Sequence, residues 1–455
     1  MMGVSTGKEL AVAKMREGRV NPTAIAIFED YWDQLAGGAT GMIPEATISP
    51  LTSPDTVELD QLADGDIEAL SRTAIIKLNG GLGTSMGLSK AKTLLPVRDG
   101  LTFLDIIVRQ VLSARRTYGV RLPLVFLHSF NTQADVLAAL AAYPDLAVDG
   151  LPLDMMQSEE PKLTQADLSP VSWPANPKLE WCPPGHGDLY PTLLDSGMLD
   201  DLISAGFRYA SVSNSDNLGA GPSPQLAGWF ARTGAPFASE ITLRTPMDVK
   251  GGHLAIRRSD GRLILRESAQ TPADEQKYFT DPQIHAYAHC NNLWFDLARL
   301  RQKLTETGGV LGLPLIRNAK TVDPTDPTST AVVQIESAMG AAIESFEGAT
   351  AVAVPRSRFL PVKSTNELTL LRSDVFELGD DYHLRTQISP LPVVSLAKPY
   401  ATIAGLDARV PYPLGLRQAR TLTVTGDWAF GRDLQVVGDV TLNDTGTVPD
   451  TTVLT

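Results

Sequence analysis

Cysteine is scarce in this chain, with only Cys182 and Cys290 among 455 residues. Two cysteines cannot build a disulfide framework, and such scarcity is typical of a reducing compartment, so we expect a cytoplasmic location. A run of about 20 apolar residues is also missing, which argues against a membrane-spanning helix. The first residues, MMGVSTGKELAVAKMREG, lack the apolar core of a signal peptide.

Positive charge is outnumbered as well. The chain has 39 lysines and arginines against 52 aspartates and glutamates, and its formal net charge is −13. Such a balance argues against a nucleic-acid or anionic-membrane partner. An anionic small-molecule substrate must therefore be held by a local group of basic residues. The remaining composition, 43% hydrophobic and 20% charged, is ordinary for a globular protein of two or three domains.

Hydrophobic periodicity divides the chain into three predicted regions. Residues 1–72 begin with helical spacing and continue into a connection rich in Gly, Pro, Ser and Thr. Residues 73–375 alternate strand-like and helix-like runs, which predicts an α/β domain with a mostly parallel sheet covered on both faces. An Asp260-Gly261 hairpin signal interrupts this alternation. Residues 376–455 form the third region.

A repeat of six residues runs through the third region. Its apolar members are Val424, Phe430, Val436, Leu442, Val448 and Leu454. A hexapeptide period is the signature of a left-handed parallel β-helix with apolar side chains pointing inward. Chance spacing among common residues is the alternative. Because about two coils bury themselves poorly alone, we expect this tail to pack on the body or on another subunit.

The densest motif is AIIKLNGGLGTSMGLSKAKTLLPV, residues 74–97. A strand-like run ends at Asn79, and Gly80, Gly81, Gly83 and Gly87 follow within eight positions. Glycines let main-chain amides surround phosphate oxygens, and nearby lysines add positive potential. The loop lacks the Gly-Lys-Ser/Thr of a Walker A motif and has one residue too many for a dinucleotide fingerprint. A tight surface turn is the other interpretation, but it does not explain the small residues and lysines together.

Polar residues end a second strand-like run, at SVSNSDN. Asn214 and Asp216 would lie at the carboxyl end of a parallel strand, where ligands bind in such sheets. A carboxylate there can hold Mg²⁺ against a phosphate, because this ion takes one or two protein oxygens and completes its shell with phosphate and water. A turn or helix-cap role for Asp216 is the alternative.

These motifs resemble the family of UTP–glucose-1-phosphate uridylyltransferases, and the resemblance covers nearly the whole chain in family order. The blocks are LNGGLGTSMG (78–87), PPGHGDLY (183–190), NSDNLGA (214–220), DVKGGHL (248–254), NNLWFDL (291–297), ESAMGAAI (336–343) and VPRSRFLPVKST (354–365). The resemblance implies a Rossmann-like nucleotidyltransferase domain with a mostly parallel mixed sheet and a short C-terminal β-helix. It also implies Mg²⁺-assisted transfer of UMP from UTP to glucose 1-phosphate, giving UDP-glucose and pyrophosphate without a covalent enzyme intermediate.

The resemblance also implies roles for individual residues. It places Lys92, Lys363 and Asp216 at the reacting phosphates, with Asp216 as the metal ligand. Gln157 and Gly185 would contact uracil. The other substrate-binding residues that it implies are Leu78, Asn79, Gly80, Gly81, Gly83, His186, Asn214, Gly251, Gly252, Asn291 and Asn292.

The sequence departs from the family pattern at two places. Residues 89–92 read Ser-Lys-Ala-Lys where the family usually has Gly-Pro-Lys, and His289-Cys290 stand where the family often has Asn-Thr. Another hexose 1-phosphate, or a non-catalytic role in binding a nucleotide sugar, therefore stays open as an alternative. The roles of Lys90, Arg356 and Arg358 also stay open, as does assembly into a homo-oligomer. The shortness of the tail argues against assembly through it.

Overall fold

The computed structural model describes residues 2–53, 56–245, 248 and 251–455. The α-helices of this part of the chain are α1 (Met2–Glu17), α2 (Pro22–Ala36), α3 (Ile67–Ser71), α4 (Phe103–Tyr118), α5 (Gln133–Leu140), α6 (Leu189–Asp195), α7 (Met198–Ser204), α8 (Pro224–Thr233), α9 (Gln276–Phe279), α10 (Leu297–Glu306), α11 (Thr365–Arg372) and α12 (Ile403–Arg409). None of the helices described here is both long enough and apolar enough to cross a membrane.

An eight-stranded sheet forms the centre of the molecule. Its strands are β1 (Val57–Glu58), β2 (Thr73–Asn79), β3 (Leu124–His128), β4 (Asp154–Met156), β5 (Tyr209–Asn214), β6 (Phe237–Leu243), β7 (Tyr287–Asp296) and β8 (Thr350–Ala353). They lie side by side in the order β1-β8-β6-β7-β5-β2-β3-β4. Strand β7 runs antiparallel to both neighbours, and the other adjacent strands run parallel. The predicted mixed, mostly parallel sheet is therefore confirmed.

Helices cover both faces of this sheet. Side chains of a strand alternate between faces, so Ile75 of β2 joins a core with α4 and α8, whereas Ala74 and Ile76 join a second core with α6, α7 and α10. Burial on both faces explains why β2 reads as an almost continuous apolar run.

Helix α4 begins with a capping box. Thr102 Oγ1 accepts from the Asp105 amide at 3.1 Å, and Asp105 Oδ2 accepts from the Thr102 amide at 2.8 Å. Such reciprocal bonds satisfy amides that the first helical turn leaves free. Asp105 is therefore engaged as a helix cap, which leaves the dinucleotide fingerprint without its acidic residue at a strand end.

Parallel strands also fill the C-terminal region. They are β9 (Val393–Leu396), β10 (Gly415–Val424), β11 (Asp427–Phe430), β12 (Gln435–Leu442), β13 (Thr445–Val448) and β14 (Val453–Leu454). After two register shifts near the start of β10, partners from Thr421 onward lie eighteen residues apart, as in the pairs 422 with 440, 430 with 448 and 436 with 454. The buried side chains of Val424, Phe430 and Val436 belong to the same core as Ile75, so the tail packs on the sheet-bearing part of the chain.

The remaining described strands form small sheets of two or three strands. They are Ile48–Pro50, Pro96–Arg98, Leu101–Thr102, Glu160–Pro161, Leu163–Thr164, Trp181–Cys182, His253–Arg257, Leu263–Arg266, Ile316–Thr321, Ala331–Glu336, Phe376–Leu378 and Leu384–Thr386. The hairpin signal at Asp260-Gly261 is confirmed, because His253–Arg257 pairs antiparallel with Leu263–Arg266. Strand β1 joins the sheet edge from within residues 1–72; the boundaries at 72 and 375 stay predictions.

Candidate active site

The carboxyl ends of four parallel strands lie at one edge of the central sheet. Leu78 of β2 pairs with Asn214 of β5, Asn79 with His128 of β3, and His128 with Met156 of β4. The segments that follow these strands therefore meet. We call this group the strand-end site, and its predicted members are Leu78, Asn79, Gly80, Gly81, Gly83, Lys92, Gln157, Asn214 and Asp216.

The glycine loop after β2 has a backbone that favours glycine. Gly83 and Gly87 have φ values of 68° and 72° and flank the single turn Thr84–Met86. Side-chain-bearing residues rarely adopt this left-handed conformation. Gly81 is exposed, and a Cβ built there meets no atom within 4 Å. A ligand therefore has room to approach the main chain at Gly81.

Asn79 anchors the base of this loop. It is 2% exposed, and its Oδ1 accepts from Thr93 Oγ1 at 2.9 Å and from Ser215 Oγ at 3.1 Å. Its amide nitrogen lies 3.2 Å from His128 Nδ1, and since that nitrogen only donates, Nδ1 must accept. Burial lowers the pKa of His128 to about 4, so the imidazole is neutral at neutral pH.

An ion pair crosses the strand-end site. Lys92 Nζ lies 2.6 Å from Asp216 Oδ2, with side-chain exposures of 15% and 22%. The same ammonium group donates to the carbonyl of Val362, next to Lys363. One lysine therefore joins the glycine loop, the end of β5 and the segment that carries the second predicted lysine.

Asp216 is the carboxylate that the strand-end site offers to a metal ion. Nowhere in the described part of the chain do three or more His, Cys, Asp or Glu side chains group as a metal site. One carboxylate does not fit a zinc centre, which takes three or four protein ligands. It does fit Mg²⁺, which is commonly bound by one or two carboxylates together with substrate phosphates and water.

Gln157 and Gly185 occupy tightly packed positions. A Cβ built on Gly80 would lie 3.1 Å from Gln157 Oε1, so the Gln157 amide rests against the glycine loop. Gly185 has a φ of 81°, and a Cβ there would lie 2.5 Å from the carbonyl oxygen of Ser337. A side chain at Gly185 would therefore displace the main chain at Ser337, and one at Gly80 would press on the Gln157 amide.

His186 is held by the main chain of the ESAMGAAI block. Its Nδ1 accepts from the amide of Met339 at 2.9 Å. Burial lowers the pKa of His186 to about 4, so the ring is neutral at neutral pH and carries its proton on Nε2. The ring can therefore donate one hydrogen bond from Nε2.

The residues predicted to contact the sugar separate into two environments. Asn291 is partly exposed, has a φ of 53° and lies with its Oδ1 3.0 Å from His289 Nδ1. Asn292 is 1% exposed, and its amide nitrogen donates to Glu240 Oε2 at 3.0 Å. His289, one of the departures from the family pattern, is thus a direct neighbour of Asn291.

Glu267 is a residue near this place that the sequence motifs did not reveal. A Cβ built on Gly252 would lie 2.8 Å from its carboxylate. Burial raises the pKa of Glu267, and the charges of Lys363 and Arg244 oppose that rise. In the sequence, Glu267 is only an acidic residue that follows the second strand of the hairpin. Its contact with Gly252 joins residues fifteen positions apart, which local sequence does not reveal.

Lys363 lies on the wall of a cavity of about 930 Å³, which Arg356 also lines. Arg356 is paired with Asp248 at 2.6 Å. Arg358 forms two bonds to the fully buried Glu240, at 3.0 and 2.9 Å. Both arginines are therefore engaged by acids, whereas the side chain of Lys363 is exposed. Lys90 is exposed as well.

Comparisons with known proteins identify the family of this chain. The model of the family described as UTP–glucose-1-phosphate uridylyltransferase matches residues 25–437. The enzyme of that name from Hordeum vulgare is 35% identical over 442 residues, covering 95% of this chain and 91% of the relative. The one from Saccharomyces cerevisiae is 37% identical over 394 residues, covering 85% and 78%.

Solved structures show the same similarity. A mutant UDP-glucose pyrophosphorylase from Leishmania major, in complex with UDP-glucose, superposes with a TM-score of 0.93 at 39% identity and covers 98% of both chains. A Trypanosoma brucei structure gives a TM-score of 0.92 at 37% identity and covers 99% of both chains.

The sheet, its glycine loop and these matches define an α/β nucleotidyltransferase, a class of enzyme that transfers nucleotide groups between phosphates. Within that class, the chain belongs to the UTP–glucose-1-phosphate uridylyltransferase family, whose model covers most of its length. Nucleotidyltransferases of this family generally use a divalent metal.

Proposed function

We propose that this chain transfers UMP from UTP to glucose 1-phosphate and releases pyrophosphate. The observation that carries the proposal is the Lys92–Asp216 pair, which places a cation and a carboxylate 2.6 Å apart beside the glycine loop. A triphosphate needs a cation, and a metal ion that accompanies it needs a carboxylate. A family match over residues 25–437 supplies the substrates.

The nucleotide lies across the strand-end site in this proposal. Main-chain groups of Gly80, Gly81 and Gly83 surround the phosphates, and the side chain of Lys92 neutralises them. Gln157 suits the uracil edge, because an amide both donates and accepts. Gly185 lets the base approach the main chain closely, and His186 donates from Nε2 toward the phosphates or sugar.

Asp216 holds Mg²⁺ in this proposal. The ion, when bound, neutralises charge at the phosphate that is attacked. The Lys92 ammonium group and Mg²⁺ are both cations and compete for the single carboxylate of Asp216. Lys92 would therefore exchange its bond to Asp216 for bonds to phosphate oxygens. The half-buried position of Asp216 strengthens either interaction compared with open water.

The hexose lies between β7 and the Gly251-Gly252 pair. Gly251 leaves room for hydroxyl groups, and Gly252 lets the Glu267 carboxylate come close to them. The amides of Asn214 and Asn291 can donate and accept. Asn292 lies behind Asn291 in the interior, where its amide nitrogen is already bonded to Glu240. It therefore supports the hexose site from the buried side. The carboxylate of Glu267, which also caps the turn at Gln270, is an additional acceptor for a hydroxyl group. Glucose is the hexose that the family match supports.

Lys363 completes the reacting centre. A phosphate oxygen of the hexose 1-phosphate attacks the α-phosphorus of UTP in line, and pyrophosphate leaves. Such transfer depends on positioning and charge neutralisation more than on a protein nucleophile, so no covalent intermediate is needed. The exposed ammonium group of Lys363 stabilises charge that the two substrates share in the transition state.

Three further features belong to the proposal. The eighteen-residue pairing offset corresponds to three hexapeptides per coil, which supports a short left-handed β-helix at the end of the chain. The buried free thiols of Cys182 and Cys290 support a reducing, cytoplasmic compartment. The predicted boundaries at 72 and 375 separate the N-terminal segment, the catalytic domain and the tail.

A coupled assay of pyrophosphate release tests the activity. We expect release that requires UTP, glucose 1-phosphate and Mg²⁺ together, with little signal when ATP replaces UTP. Galactose 1-phosphate and N-acetylglucosamine 1-phosphate serve as comparison acceptors. Tight binding of UDP-glucose without any pyrophosphate release would contradict the proposal and favour the non-catalytic alternative. The joint presence of Lys92, Asp216 and Lys363 speaks against that alternative.

A further inference from the structure

Asn217 directly follows Asp216 and is buried, with 1% of its surface exposed. Its amide nitrogen donates to Asn292 Oδ1 and to the carbonyl of Arg358, both at 3.1 Å. Its Oδ1 accepts from the amides of Gly219 at 3.1 Å and Leu360 at 2.8 Å. An asparagine side chain has two donor hydrogens and two acceptor lone pairs, so every one of them is used.

These bonds join the two segments that carry the proposed reacting groups. Asp216 is the residue before Asn217, and Lys363 lies three residues after Leu360, whose amide Asn217 accepts. A β-bridge between Asn217 and Pro361 runs along the same contact. The position of Asp216 relative to Lys363 therefore depends in part on the four bonds of the Asn217 side chain.

Buried charges fix the far end of this link. Glu240 is 0% exposed and binds the Arg358 guanidinium through both carboxylate oxygens, at 3.0 and 2.9 Å. Glu240 also accepts from Trp294 Nε1 and from Asn292, each at 3.0 Å. A bidentate pair of this kind has a defined geometry, so Asn217 is anchored to groups that cannot easily move.

Lys92 provides a second link between the same two segments. It binds Asp216 on one side and the carbonyl of Val362 on the other. In the proposed reaction, Lys92 turns to the triphosphate and this second link opens. Asn217 is buried away from solvent, and none of its four bonds involves Lys92.

We propose that Asn217 is a positioning residue that fixes the separation of Asp216 and Lys363 when Lys92 binds the triphosphate. This inference rests on the proposed uridylyl transfer. Because the link holds the reacting groups without contacting the nucleotide, its loss acts on kcat more than on UTP binding.

The test compares Asn217→Ala with Lys363→Ala and with the double variant. We expect kcat to fall about 10- to 100-fold in Asn217→Ala, the effect of a displacement of about 1 Å at the reacting centre. The Kd for UTP, measured by calorimetry, should stay within about threefold of the wild type. In the Lys363→Ala background, Asn217→Ala should lower kcat by less than about threefold, since residues that act through one another are non-additive.

Thr73→Val is the matched control for a lost buried hydrogen bond. Thr73 is 0% exposed and begins β2, at the end of the strand that is far from the glycine loop. Its hydroxyl donates to the carbonyl of Ala69 in α3. We expect this variant to lower the Tm while kcat stays unchanged. If Asn217→Ala does not fold, Asn217→Asp takes its place, because it keeps the acceptors for Gly219 and Leu360 while it replaces the two donated bonds with a carboxylate that faces the oxygens of Asn292 and Arg358.

Three results would overturn the inference. They are a kcat within about threefold of the wild type in the Asn217 variant, full additivity with Lys363→Ala, and a loss of UTP affinity that accounts for the whole defect. Failure of the proposed function is separate, because it appears as absence of pyrophosphate release in the wild-type enzyme, whatever the variants do.

Discussion

The ammonium group of Lys92 lies 2.6 Å from Asp216 Oδ2, and both side chains are largely buried. Neither group is therefore free in the protein without ligand. Each satisfies the charge of the other until a triphosphate and a metal ion supply replacements. This relationship explains how a chain with a formal charge of −13 keeps a local cation ready for an anionic substrate.

We predict that Lys92→Ala lowers kcat by about 100-fold or more, the scale of losing one charge partner in a transition state. Steady-state kinetics with varied UTP measures this. Lys90→Ala is the matched control, since Lys90 is exposed two residues away and should leave kcat within about threefold of the wild type. Equal defects in the two variants would show that only the total loop charge matters.

We predict that Asp216→Asn removes the response of the activity to Mg²⁺, because an amide oxygen carries no charge for the ion. Turnover should fall about 100-fold or more at saturating substrates. A Mg²⁺ titration of the rate measures both effects. Asp260→Asn, which changes an exposed hairpin acid paired with Arg257, should titrate like the wild type. A variant at 216 that still responds normally to Mg²⁺ would refute the assignment of Asp216.

We predict that Gly185→Ala raises the KM for UTP more than about 10-fold, because a Cβ there would lie 2.5 Å from the Ser337 carbonyl and displace the loop. Gly150→Ala is the control: Gly150 has a similar φ of 79°, but a Cβ there meets no atom within 4 Å. Gly150→Ala strains the main chain to a similar degree but causes no steric clash. The KM of this variant for UTP should therefore match that of the wild type. A normal KM in Gly185→Ala would show that this loop lies away from the nucleotide.

Much of the strand-end site is predictable, because strands of one parallel sheet end at one edge. Asn79 and Asp216 each stand at the end of an apolar run in the sequence. Their position was enough to predict that they lie at the same edge of the sheet. The buried charges were not predictable. Lys77 is 1% exposed and donates to Ser213 Oγ at 2.7 Å and to the Ala220 carbonyl at 2.9 Å, yet in the sequence it reads as one polar residue within a strand. Burial lowers its pKa to about 7.

Long-range pairing explains the other differences. Asn292 resembles its neighbour Asn291 in sequence, and contacts with distant residues, Glu240 and Asn217, accompany its position in the interior. The antiparallel direction of β7 also depends on which strands it joins, which local propensity does not encode. The six-residue repeat, in contrast, is a local signal, and the parallel register of the tail follows it.

We predict that acid destabilises the protein through His128. The pKa of this buried ring is lowered from 6.5 to about 4, so below about pH 6.5 the unfolded chain binds a proton that the folded chain refuses. Stability contributed by the neutral ring is present above that pH and is lost as the pH falls toward 4. Protonation would also set Nδ1–H against the donating amide of Asn79.

His128→Asn, which keeps an acceptor near Nδ1, measures this contribution. We expect the free energy of unfolding to fall less in the variant than in the wild type between about pH 7.5 and 4.5, by about 2–3 kcal/mol. Denaturant unfolding at the two pH values gives the comparison. Identical pH dependence in both proteins would show that His128 titrates normally.

We predict that the repeat positions of the tail stabilise the fold from inside. Val436 is 1% exposed and Val453 is 55% exposed. Val436→Ala should lower the free energy of unfolding by about 1–3 kcal/mol, whereas Val453→Ala should change it by less than about 0.5 kcal/mol. Denaturant titration distinguishes them. Equal effects at the two positions would contradict an inward-facing hexapeptide row.

The most direct test of the account is a crystal structure of the protein with UTP and Mg²⁺. The account predicts phosphate oxygens against the main chain between Asn79 and Gly87, the metal ion on Asp216, and Lys92 moved from that carboxylate to the phosphates. A triphosphate bound elsewhere, with Lys92 still on Asp216 and the glycine loop facing solvent, would contradict it.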